Sequence, residues 1–140
     1  MRAVMDTNVL VSAFRSRQGA SYEVYRLLRL GQWRCLVSNH LLLEYEEQLT
    51  RQASDLCLGA PEIDEVLNLV CGRGEQWTLR YDWLPVLAND PDDEPLVQLA
   101  HESTGRLIVT HNIRDLQSCA GLGISILRPS EFLGKLRASL

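Results

Sequence analysis

The sequence predicts an α/β fold with a central parallel sheet of about five strands between two layers of helices. Two observations carry this. Short apolar runs recur along the chain, each too short for a helix and fit for a strand buried on both faces. Segments with helical spacing and helical end signals separate them, and strands alternating with helices argue a parallel sheet. Residues 2–6 are the first strand, an apolar run ending at Asp6. A polar stretch from Arg15 to Ala20 leads to Ser21, a good helix cap, before a segment carrying Val24, Leu27, Leu28 and Leu30. Gly31 stops that helix. Cys35-Leu36-Val37 reads as the second strand, and Ser38 or Asn39 caps a helix running to about Gln52. Pro61 opens a helix with Ile63, Val66, Leu67 and Val70 that ends near Gly72 and Gly74.

Leu84 to Leu87 is a further apolar run, read as a strand despite Pro85. The turn from Asn89 to Glu94 follows, and Asp93 caps a helix with Leu96, Val97, Leu99 and Ala100 that Gly105 closes. Leu107-Ile108-Val109 is the clearest buried strand, Ile124 to Leu127 another, and Pro129-Ser130-Glu131 begins a terminal helix. No internal repeat or linker interrupts this order, and 140 residues fit a single domain, 1–140.

Composition narrows the function. An apolar fraction of 46% fills one core. No run approaches the roughly 18 apolar residues of a membrane span, and no signal peptide is expected, because the chain enters an apolar strand at once without a small-residue cleavage site. Cys35, Cys57, Cys71 and Cys119 form no C-x-x-C pair, which suits reduced thiols in a cytoplasmic protein. A net charge of −4 excludes a bulk polyanion binder but not a local basic patch near a metal. Of the 14 basic residues only Lys135 is lysine, which removes chemistries that need a core lysine. No phosphate-binding glycine loop is present.

The chemistry lies in the acids. Asp6 stands at the carboxyl end of the first strand, where open parallel sheets collect ligands. Glu44 sits one turn into the helix after the second strand, about 60° from Leu41 at 100° per residue, on the border of the apolar stripe. A border carboxylate can reach a cleft or be solvated. Asn89 to Glu94 holds four acids in six residues. The helix dipole accounts for some of that enrichment, but Asp93 shares a face with Leu96 and Ala100 and is expected to point inward, with Asp92 and Glu94 turned elsewhere. Thr110, Asn112 and Asp115 follow the Leu107–Val109 strand, while His111 is read as peripheral. Carboxylates converging on one edge repel each other and need a cation. An all-oxygen set without imidazole or thiolate selects Mg²⁺ or Mn²⁺, ions that activate water and polarise phosphoryl oxygens. Phosphodiester hydrolysis is the natural reaction.

Five segments carry a family likeness. They are Val4–Ser12, Ser38–Tyr45, Asp90–Asp93, Leu107–Leu116 and Arg128–Leu133. In this order and spacing the chain resembles a PIN domain, specifically the VapC-like toxins of bacterial toxin–antitoxin pairs. The resemblance implies a three-layer α/β/α, PIN-like fold and a metal-dependent ribonuclease. It implies Asp6, Glu44 and Asp93 as metal ligands, with Asp90 contributing. Many relatives carry a fourth Asp where this chain has Asn112, and Asp115 is the candidate replacement. Thr7, Asn8, Thr110 and Asn112 are expected to orient ligands and water, and Arg15, Arg17 and Arg114 to flank the cleft as RNA contacts. The resemblance further implies an RNA substrate, a cognate antitoxin protein that blocks the cleft, and a homodimer.

Two rivals stay open. A degenerate PIN fold that binds RNA or a protein without cutting would suit the missing fourth acid. A phosphatase of the haloacid dehalogenase type would use Asp6 as nucleophile, but this chain has Asp6-Thr7-Asn8 where such enzymes have Asp-x-Asp, and its lysine is not in the core.

Overall fold

The computed structural model describes residues 1–85 and 91–139. Five parallel strands form one sheet: β1 (Arg2–Met5), β2 (Arg34–Val37), β3 (Gly74–Gln76), β4 (Leu107–Val109) and β5 (Ser125–Leu127), in the order β3-β2-β1-β4-β5. Val4 pairs with Leu36 on one side and Ile108 on the other, so β1 is central. Strands boxed in on both faces must be apolar on both faces, and Val4, Met5, Leu36, Val37, Ile108 and Val109 are all fully buried.

Helices flank this sheet: α1 (Thr7–Arg15), α2 (Ala20–Arg29), α3 (Asn39–Arg51), α4 (Ala53–Leu56), α5 (Ala60–Gly72), α6 (Glu94–Glu102), α7 (Ile113–Leu116) and α8 (Pro129–Ser139). Ser38 caps α3 as expected, its Oγ accepting from the Leu41 amide at 3.2 Å. Pro61 sits in the first turn of α5, where its missing N–H costs nothing. Trp33 locks α2 and α8 to the sheet edge. Its Nε1 donates to the Val24 carbonyl at 2.9 Å, and its ring meets Phe132 edge-on at 5.1 Å. Cys35 and Cys119 are buried, Cys71 is half-buried and Cys57 is exposed. Among the described residues no helix is long and apolar enough to cross a membrane.

Three expectations need correcting. The fifth strand is Gly74–Gln76, not Leu84–Leu87. Leu84 is exposed and, with Pro85, lies outside any strand, while 86 and 87 are beyond the described residues. Gly74-Glu75-Gln76 carries no apolar side chain, yet it pairs with β2 because glycine lets the backbones close. A Cβ on Gly74 would sit 2.3 Å from the Cys35 carbonyl oxygen and 2.6 Å from that of Val70. Arg2 ties this polar edge down by forking onto Glu75 at 2.7 and 3.1 Å, which holds the Glu75 carboxyl below its usual range. Second, Gly19 rather than Ser21 precedes α2, and Ser21 is buried inside its first turn. Third, the chain turns straight from β1 into α1, a helix not foreseen over residues 7–15.

Candidate active site

The carboxyl ends of β1 and β4 lie side by side, with the Asp6 amide donating to the Val109 carbonyl at 2.9 Å. Asp6 is the residue before α1, in the N-cap position. It is only 6% exposed. Thr110, fully buried at the tip of β4, donates its hydroxyl to Asp6 Oδ2 at 2.7 Å. The same hydroxyl oxygen accepts from the Asn112 amide at 2.9 Å. Asn8 Nδ2 reaches Asp6 Oδ2 at 3.3 Å, and Asn8 Oδ1 accepts from the His111 amide at 3.2 Å. Below, the Tyr45 hydroxyl donates to the Met5 carbonyl and fixes the strand end from α3. Two strand tips and a helix start thus hold one carboxylate in one orientation.

Burial pushes the Asp6 carboxyl above its usual range, the Thr110 hydrogen bond pulls it back, and the Glu44 charge raises it again. The Thr7 and Asn8 backbone amides lower it as well. The negative charge at Asp6 is therefore held mainly by neutral donors.

A cavity of about 360 Å³ opens over Asp6. Thr7, Asn8, Arg15, Glu44, Asp93 and Asn112 line it with Asp6. Glu44 is half-buried on the border of its helix and sits 3.9 Å from His40 Nε2. Asp93 ends a 3-10 turn (Pro91–Asp93) directly before α6, without a side-chain cap bond to that helix. Asn112 donates Nδ2 to Asp115 Oδ2 at 2.8 Å, so its amide oxygen is the group left to serve the cavity. Asp115 itself is exposed and orients Asn112 from outside the lining. Arg15 lines the cavity with its guanidinium on the Gln52 amide oxygen.

The cavity therefore gathers Asp6, Glu44, Asp93, Asn112, Thr7, Asn8 and Arg15, with Thr110 directly behind Asp6. Asp90 lies outside the described residues. Arg17 is elsewhere, stacked 5.7 Å above the Phe14 ring centroid and 6.0 Å from that of Tyr22. Arg114 is exposed on α7. Glu94, expected to turn elsewhere than Asp93, is buried, with Oε2 accepting from Trp83 Nε1 at 2.9 Å. Gln48 and Gln52 also line the cavity and were missed. Their signal was present, since 44, 48 and 52 repeat at four residues along one helix face.

Every donor here is an oxygen or amide, which suits a hard divalent ion. The Thr7 hydroxyl is buried and has no hydrogen-bond partner among the described residues. Among the described residues no three acidic, histidine or cysteine side chains close into a ready-made metal cage. Such an open acidic cavity fits Mg²⁺, which keeps several waters and takes one or two carboxylates directly.

The sequence model of the PIN domain family matches residues 2–114 of the chain. No curated protein and no solved structure matches it.

Proposed function

The chain belongs to the PIN domain family, whose members are generally nucleases, and on that premise we propose that it is a Mg²⁺- or Mn²⁺-dependent endoribonuclease. One observation carries the reading. Asp6 is a buried carboxylate, held by Thr110 and Asn8 without an ion-pair partner among the described residues, in a cavity that Glu44 and Asp93 also line. A structural carboxylate would be expected to have an arginine or lysine beside it. A carboxylate left for a divalent ion is built this way.

Asp6, Glu44 and Asp93 would hold the ion, with the Asn112 amide oxygen beside them. When bound, the ion supplies Lewis acidity to a phosphodiester and to an attacking water. The chain's own parts position it. Thr110 and Asn8 fix Asp6 Oδ2, and Asp115 turns the Asn112 oxygen toward the cavity. Arg15 is placed to meet a phosphate entering the cavity, and Gln48 and Gln52 offer neutral hydrogen bonds beside it. We assign Asn112 rather than Asp115 as the fourth cavity residue, because the bond between them makes Asp115 its support. On sequence resemblance alone we extend the proposal to a cytoplasmic, dimeric toxin restrained by an antitoxin protein.

The purified protein is expected to cut single-stranded RNA with Mg²⁺ or Mn²⁺ and to stop with EDTA. Asp6→Asn is expected to remove cutting while circular dichroism stays native. RNA binding with no metal-dependent product would favour the degenerate, non-cutting reading instead.

A further inference from the structure

A second cavity, linked to the Asp6 site through His111, has no role in the account above. It measures about 170 Å³, the scale of one phosphate group with its water, and joins three separated segments. Ser12 and Ser16 come from the α1 end, Ser21 from α2, His111 from the turn after β4, and Arg128 and Ser130 from the start of α8. Ser21 is 4% exposed, and its hydroxyl meets His111 Nε2 at 2.9 Å. Ser21 is the buried member of this pair, while His111, Arg128 and Ser130 are exposed to solvent around the cavity. No acidic side chain lines the cavity. Glu131 accepts from the Arg128 backbone amide at 3.0 Å and lies 3.9 Å from its guanidinium. The Arg128 guanidinium thus forms a long ion pair with Glu131 but no hydrogen bond to it. Gly19, before α2, supplies no side-chain cap, so the first amides of that helix face the same space uncapped.

His111 connects the two cavities. Its backbone amide donates to Asn8, which in turn donates to Asp6, while its ring faces the second cavity. We propose that this cavity is a subsite for a backbone phosphate of the RNA strand, flanking the phosphodiester at Asp6, with Arg128, Ser130, Ser21 and the His111 ring as its contacts. The proposal rests on the ribonuclease reading for the identity of the ligand. The donor set itself asks only for a phosphate-bearing anion, which arginine and hydroxyl donors recognise.

The test uses the whole chain and follows the His111 ring by NMR, its signal assigned by loss in His111→Gln. Inorganic phosphate is expected to shift that signal saturably, and Arg128→Gln to abolish the shift. A short single-stranded RNA added to the non-cutting Asp6→Asn protein is expected to give the same shift. Arg128→Gln in that background should weaken RNA about tenfold, the loss of one charge-assisted contact. It should also flatten the salt dependence of log K by about 0.7, one phosphate fewer on a single strand. Ser130→Ala serves as the milder variant should Arg128→Gln unfold, and is expected to weaken both ligands in the same direction. No shift with either ligand overturns the subsite. A shift with phosphate that RNA fails to reproduce overturns its assignment to the RNA backbone. Both shifts without any metal-dependent RNA cleavage by the wild-type protein would retain the subsite and remove the nuclease reading.

Discussion

Thr110→Val isolates what holds the central carboxylate. Valine keeps the shape of threonine at a fully buried position, so packing changes little and the hydroxyl alone is lost. That hydroxyl makes the 2.7 Å bond to Asp6 Oδ2 and accepts the Asn112 amide at 2.9 Å. Removing a donor from a buried carboxylate costs about 1.5–3 kcal/mol. Asp6 is only 6% exposed, so solvent will not screen much of this away. For a domain of this size, about 3–4 °C per kcal/mol, the metal-free melting temperature should fall by about 4–12 °C at pH 7. The sign with pH follows. Thr110 stabilises the charged form of Asp6, so its loss costs most above the Asp6 pKa and less as pH falls through it. Thr110→Ser restores the hydroxyl and should recover most of the loss. Melting curves of the three proteins at several pH values are the assay. A fall under about 2 °C at pH 7, or a penalty that grows toward acid, refutes the claim that this bond holds an ionised Asp6.

Other expectations are simpler. Asp6 has a raised folded pKa, so without metal its charge costs stability, a cost that sets in as pH rises from the unfolded value through the folded one. Asp6→Asn should therefore melt above wild type near neutral pH without metal, and should lose the stabilisation that Mn²⁺ gives wild type, as thermal scans would read. Gly74→Ala places a Cβ 2.3 Å from the Cys35 carbonyl oxygen and should cost about 1–3 kcal/mol, seen as a lower urea midpoint. Cys57 closes α4 at φ 55° in the left-handed region, so Cys57→Gly should stabilise by about 0.5–1 kcal/mol, raising that midpoint.

Four of the five strands were legible because each is a short apolar run between helical segments. Gly74–Gln76 was not, since a polar edge strand made possible by one glycine and held by Arg2 has no hydrophobic signature. Leu84 and Pro85 misled in the opposite direction, an apolar pair exposed rather than buried. At the cavity, strand ends and helix starts pointed Asp6 and Asp93 to one sheet edge, while spacing left Glu44 open and the family resemblance joined it, with the Asn112 position, to them. Charge type alone could not place the arginines. Arg15 lines the cavity, but Arg17, two residues on, turns to the Phe14 and Tyr22 rings, a preference set by tertiary neighbours. Asp115, offered by the sequence as a replacement ligand, accepts from Asn112 Nδ2 at 2.8 Å and does not line the cavity.

Anomalous diffraction from crystals soaked in Mn²⁺ probes the arrangement most directly. A peak within about 2.0–2.3 Å of an Asp6 carboxylate oxygen, with Glu44 or Asp93 reaching it directly or through one water, is the predicted result. Full Mn²⁺-dependent RNA cleavage by crystals or solution protein in which Asp6 stays dry of metal, or a peak lodged away from these three residues, would contradict it.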